Sequence, residues 1–153
     1  MIHSCKLVKP IDQYNEDFVY FCEPIKNNIM NDGNFIRIIY STPLVILNGI
    51  YITINICHTN IDKYYNKYKC SFDINQHKDV IEQLRGIEER ILKKSRVQGK
   101  IPQCKIYELL KNGNIKIFSE SFEKIGNTFL LKIAGIWETE SEYGLTYKFI
   151  NIC

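Results

Sequence analysis

The hydrophobic positions of this chain fall mostly at a spacing of two. In Ile50–Ile56, four isoleucines alternate with Tyr51, Thr53 and Asn55. This pattern predicts a strand with one apolar face and one polar, aromatic-bearing face. Phe35–Tyr40 is dense in β-branched and aromatic residues and predicts a second strand. Asn31-Asp32-Gly33-Asn34 predicts the turn before it, because these residues tolerate positive φ. Ser41-Thr42-Pro43 interrupts the run and Leu44–Leu47 resumes it. Asn48-Gly49, set between two apolar runs, predicts a two-residue hairpin turn with positive φ at both positions. Upstream, Phe18–Cys22 reads as a strand stopped by Pro24, Ile11–Asp17 as loop, and Ile2–Val8 as a short edge strand.

The period changes once. From residue 75 to about 95, Val80, Ile81, Leu84, Ile87, Ile91 and Leu92 recur at helical spacing, with Asp79, Glu82, Gln83, Glu89, Arg90 and Lys93 opposite. Asp73 or Asn75 supplies an N-cap, and Lys93, Lys94 and Arg96 suit the helix C-terminus. Lys105–Lys111 predicts a second, short helix closed by Asn112-Gly113. Three strands finish the chain: Asn114–Ser119, Thr128–Ile136 and Tyr143–Ile152, the last placing Tyr143, Leu145, Tyr147 and Phe149 on one face. Ile61–Lys69 alternates lysine with tyrosine without an apolar period and reads as a long basic connection. The expected fold is one α+β domain spanning residues 1–153, mainly β with one principal helix. Its element order suits a small Greek-key barrel of the OB type, the helix plugging one end.

Composition narrows the function. The 153 residues carry a net charge of +3, which permits a nucleic-acid partner without demanding one. No apolar run reaches membrane-spanning length and no secretory leader is legible, so the expected setting is inside the cell, away from membranes. The six cysteines form no C-x-x-C pair. Cys57-His58 with Cys70 is a thin metal-site pattern, and buried thiols in a reducing compartment explain it better. No phosphate-binding loop, zinc-protease helix or nucleophile elbow is present, and His3, His58 and His77 lie in unrelated contexts. The expectation is a non-enzyme with no cofactor and no metal. The richness in Ile, Asn, Lys and Tyr suits an A+T-biased genome such as that of a parasite or large virus.

What remains is a binding surface. Lys63, Lys67 and Lys69 stand among Tyr64, Tyr65 and Tyr68, a mixture of cations for phosphates and flat rings for bases. The same stretch also reads as a solvated loop whose tyrosines pack on the barrel. Arg37 and Lys132 lie mid-strand, either facing solvent or lining a groove, and Trp137 is either a rim residue or a stacking platform.

Two stretches, Glu23–Ile54 and Phe129–Ile150, carry a family resemblance. The first holds a basic, Asn-rich turn before Phe35-Ile36-Arg37-Ile38-Ile39-Tyr40. The second holds Gly135-Ile136-Trp137 and Gly144-Leu145-Thr146-Tyr147-Lys148-Phe149. Together they resemble small proteins of nucleocytoplasmic large DNA viruses, of mimivirus and phycodnavirus type, a group similar to the OB-fold single-stranded DNA-binding proteins of phage replication. The resemblance implies a protein that coats single strands during viral DNA replication or repair. It implies work beside replication proteins, in the host cytoplasm or a viral factory, or packaging in the virion. Lys26, Arg37, Tyr40, Trp137, Tyr147 and Lys148 occupy the matching motif positions. Two departures stand out: the charge is low for a strand-coating protein, and no acidic tail follows Phe149. The alternative is a virion or host-interaction protein that uses the same barrel without nucleic acid, DNA or RNA.

Overall fold

The computed structural model describes residues 9–26, 33–118 and 125–152, apart from the side chains of Lys9 and Tyr64. Where apolar residues alternate, the chain extends and pairs. The strands are β1 (Lys9–Pro10), β2 (Val19–Phe21), β3 (Ile25–Lys26), β4 (Asn34–Ser41), β5 (Ile46–Leu47), β6 (Ile50–Asn55), β7 (His58–Tyr64) and β8 (Lys67–Phe72). They continue as β9 (Ile101–Gln103), β10 (Asn114–Phe118), β11 (Thr128–Glu138) and β12 (Glu142–Asn151). The helices are α1 (Lys78–Lys94), preceded by a 3₁₀ turn at Ile74–His77, and α2 (Lys105–Lys111). The fold is thus mostly β with one main helix, as the periodicities predict.

The sheet runs β1-β6-β11-β12-β10-β8-β7. Its spine is the antiparallel pair β11–β12. One edge of β11 serves two strands, β6 along Thr128–Ile133 and β4 along Gly135–Glu138. In turn β4 carries β2, β3 and β5, while β9 lies beside the start of β12. Among the described residues the outermost strands β1 and β7 do not pair with each other, so this sheet is open. Helices α1 and α2 pack against each other, with α2 over β10 and β12. They cover one face, on which Ile52, Ile54, Phe129, Leu131, Ile133, Phe149, Ile115, Ile117, Cys70 and Phe72 are buried. The principal helix packs on α2 and meets β12, beside a sheet that is not closed into a barrel among the described residues.

Two local expectations are corrected. Asn48-Gly49 does not close a hairpin, because β5 pairs with β4 whereas β6 pairs with β1 and β11. Only Gly49 has positive φ, at +127°. The dipeptide turns a corner from the β4 edge to the β11 edge, and a Cβ at Gly49 would lie 3.0 Å from the Ile133 carbonyl oxygen. The supposed basic connection is itself a hairpin, β7–β8, turning at Tyr65-Asn66 with Tyr64 opposite Lys67. Its inward positions are Tyr68, Cys70 and Phe72, and the interleaved lysines had masked that alternation. The expected edge strand Ile2–Val8 and the turn residues Asn31 and Asp32 lie outside the described residues.

The helical face is the expected one, with Ile81, Leu84, Ile87, Ile91 and Leu92 buried. Asp73 accepts from the Asn75 N–H at 2.9 Å and caps the 3₁₀ turn. A charged residue, Glu88, is buried on the same face. Its two carboxylate oxygens accept from the backbone N–H groups of Ile106 (3.0 Å) and Tyr107 (2.9 Å). These are orphan donors at the start of α2, so α1 supplies the cap that α2 lacks from its own sequence. Burial pushes the Glu88 carboxyl up to about 7, outweighing the two N–H donors that favour its ionised form.

Replacing Leu84 by Asp should cost more than about 3 kcal/mol and lower the melting temperature sharply, because it buries an unpaired carboxylate; a thermal melt checks this. Glu88 makes a second prediction. Between its ordinary pKa near 4.5 and its folded value of about 7, the unfolded chain ionises while the folded chain keeps the proton. Stability should therefore fall as pH rises through this window, by on the order of 3 kcal/mol in total. Chemical denaturation at pH 4.5 and 7.5 should show Glu88→Gln losing less stability over that interval than the parent.

Candidate nucleic-acid interface

The face of the sheet away from the helices is set by register. Tyr51 on β6 lies opposite Lys132 on β11, and Lys132 lies opposite Lys148 on β12. The parallel register that sets Ile117 beside Phe149 puts Lys116 beside Lys148. Lys116 on β10 lies opposite Lys69 on β8, which lies opposite Asp62 on β7. Four lysines therefore stand in one row across four adjacent strands, ended by Tyr51 on one side and Asp62 on the other. At about 4.8 Å between strands the lysine row is roughly 14 Å long.

Two residues along each strand runs a parallel row of different character: Thr53, Leu130, Ile150, Phe118, Lys67 and the backbone of Tyr64. Phe118 is 62% exposed. Lys67 Nζ lies 5.3 Å from the Phe118 ring centroid, and Lys132 Nζ lies 5.5 Å from that of Tyr51. Cation–π contacts of this kind hold each ammonium beside a ring. Among the described residues none of Lys67, Lys69, Lys116, Lys132 and Lys148 joins an ion pair. Like charges directly opposed on neighbouring strands destabilise a sheet. Here Lys132 faces Lys148 and Lys69 faces Lys116, so the fold carries two such costs side by side.

The expected site residues divide. Lys67, Lys69 and Lys132 meet on the outer face. Arg37 and Trp137 lie on the same side of the sheet, farther along β4 and β11. There a Cβ at Gly144 would sit 2.7 Å from Trp137 Cζ2, so the indole lies against that glycine. Lys63 is exposed at the hairpin rim but shares the opposite side with Tyr68, its Nζ 5.7 Å from the Tyr68 ring centroid. Lys26 is exposed on β3 opposite Asn34, whose side chain bonds Glu138 at 3.1 Å, on the side opposite Arg37. Tyr65 is exposed at the hairpin tip. The side chain of Tyr64 lies outside the described residues.

Tyr40 and Tyr68 are core residues, 5% and 2% exposed, so their rings are out of a strand's reach. Tyr40 stacks on Tyr14, meets Phe18 edge-on and accepts from the Asn15 N–H at 3.0 Å. Each falls at an inward position of its strand, which explains its burial. Of the remaining motif positions, Tyr147 packs edge-on against buried Phe149, whereas Lys148 joins the row. Lys116 and Phe118 were not foreseen as site residues. Their signal was present in Asn114–Phe118, where both alternate with the buried Ile115 and Ile117.

The thin metal pattern does not assemble. Cys70 is buried, and burial pushes its thiol up to about 11, whereas Cys57 is exposed and His58 Nε2 bonds the Ile125 carbonyl oxygen at 3.0 Å. Among the described residues no group of His, Cys, Asp and Glu could hold a metal ion, and no helix is long and apolar enough to cross a membrane. Compared with protein-family models, curated proteins and solved structures, the chain matches none. The site is therefore defined by its own geometry, an outer sheet face on which a cation row borders an apolar one.

Lys148→Glu tests the electrostatics without any ligand. An acid between Lys132 and Lys116 should raise stability by about 0.5–1 kcal/mol at low ionic strength. Thermal melts in low and high salt should show the gain shrinking as the Debye length falls.

Proposed function

We propose that the protein binds single-stranded nucleic acid across the outer face of its sheet, without catalysis. The observation that carries this is the row Lys132–Lys148–Lys116–Lys69. A fold that sets two lysine pairs directly opposite one another lowers its own stability unless a polyanion shares the row. Phosphates on the lysines would put bases over Leu130, Ile150 and Phe118, the apolar and aromatic surface that stacking requires. The row offers point charges and flat faces but no forked donor set, so binding is insensitive to sequence.

The fold reading belongs to the same proposal. A bulged central strand whose one edge serves two partners, with the principal helix set between two runs of strands, supports an open variant of the OB-type barrel. In the setting that the family resemblance implies, the protein coats strands during replication or repair of a viral DNA genome, beside replication proteins in the host cytoplasm or a viral factory. The alternative, a virion or host-interaction protein, has exposed Leu44 and Ile46 on its side, 91% and 73% exposed in the β4–β5 loop and at the start of β5.

Fluorescence anisotropy with a labelled oligonucleotide of ~20–30 bases, longer than one typical OB site, tests the reading. Four neutralised phosphates predict a log–log salt slope of about −3 for a single strand. Replacing Lys69 and Lys116 together by Gln should flatten it by roughly 1.4. An absence of binding at low micromolar protein and low salt would sink the proposal and leave the interaction-protein reading in its place.

A further inference from the structure

The tip of the β7–β8 hairpin holds a residue in an unfavourable conformation. Tyr65 has φ +57°, in the left-handed region where a bulky side chain is strained. Elsewhere among the described residues positive φ falls on Gly49, Gly99 and Gly113, and otherwise only on Arg96. Arg96 has a backbone reason. It follows the last turn of α1, donates its N–H to the Lys93 carbonyl oxygen, and puts a cation at the negative end of the helix. No helix end accounts for Tyr65. Its side chain is 91% exposed. Asn or Gly would make this turn at lower cost.

Position adds to the argument. The pairing of Tyr64 with Lys67 closes the hairpin at the end of the apolar row, and Lys67 lies opposite Phe118. Tyr65 stands one residue past Tyr64, exposed in the turn that ends that row at the corner of the sheet. The cations nearest to it in sequence, Lys63 and Lys67, flank the turn.

We propose that Tyr65 is a stacking residue, kept in its strained conformation to present a phenol face to one nucleobase at the edge of the strand's path. This rests on the nucleic-acid reading above and adds to it the residue that ends the row of bases.

The test measures binding of the labelled oligonucleotide at two salt concentrations, with thermal melts, for the parent, Tyr65→Gly, Tyr65→Asn and Tyr65→Trp. The Gly and Asn variants should melt at or above the parent's temperature, since both accept positive φ. They should bind about tenfold more weakly, the loss of one stacked base, with the salt slope unchanged. Tyr65→Trp should keep the affinity, and its indole fluorescence should be quenched as the oligonucleotide binds. If the parent binds and the Gly and Asn variants stay within twofold of it, the stacking role is overturned while the lysine row stands. If both variants melt below the parent, Tyr65 stabilises its turn and the argument from strain is overturned. If the parent itself does not bind, both proposals fall together.

Discussion

Everything in this sheet hangs on β11 bonding two strands along one edge. From Thr128 to Ile133 it pairs with β6, and from Gly135 onward with β4. The chain must therefore pass from one partner to the other within a short connection, and the two partners must abut. Glycines make this possible. A Cβ at Gly135 would sit 2.3 Å from the Ile36 carbonyl oxygen, and one at Gly49 would sit 3.0 Å from that of Ile133. Any side chain at 135 would force β4 away from β11, and with it β2, β3 and β5, which β4 alone connects to the rest. The spine also carries the centre of the proposed binding row, since Lys132 and Lys148 face one another across it.

Inside the sheet the energetics are conventional, and the exceptions are informative. Among the described residues the core is hydrophobic with one charged member, Glu88. That group is retained because α2 begins with two backbone donors that nothing else reaches. It couples the two helices more specifically than apolar packing would, at the cost of a buried ionisable group whose protonation follows the surrounding pH. Outside the sheet the economy reverses. Lysines are gathered where separation would be cheaper, and an aromatic residue occupies a turn position suited to glycine.

Much of the architecture was legible in the chain. α2 runs from Lys105 to Lys111 and ends before Asn112-Gly113, as the sequence predicts, because breakers and caps act locally. α1 and the three C-terminal strands follow their periods to within a few residues. What a single sequence hides is pairing. Asn48-Gly49 has the composition of a hairpin turn, but the flanking strands found better partners far along the chain. The hairpin Lys63–Lys69 was obscured because its outward positions are so polar that alternation looked like a loop. The site suffered most from this. Each lysine of the row could be seen as mid-strand or near-strand, but only the registers bring residues 69, 116, 132 and 148 side by side. Tyr40 and Tyr68 show the reverse, since composition marks an aromatic for binding while strand parity sends it inward.

The irregularity between Ile133 and Gly135 has a consequence for how the chain is read. Before it, odd-numbered residues of β11 point to the core, as Phe129, Leu131 and Ile133 do. Beyond it, even-numbered Ile136 is buried and Trp137 is turned outward. Ala134 thus acts as a phase change in an otherwise two-stroke pattern. Deleting it would restore a single rhythm and leave the faces as they are, Ile136 inward and the indole outward; a strand that kept it in strict alternation would instead draw the indole into the interior and push Ile136 into water. A sequence that lacks the residue before the Gly-Ile-Trp triplet would therefore reach the same faces by simple alternation, with no irregularity in β11.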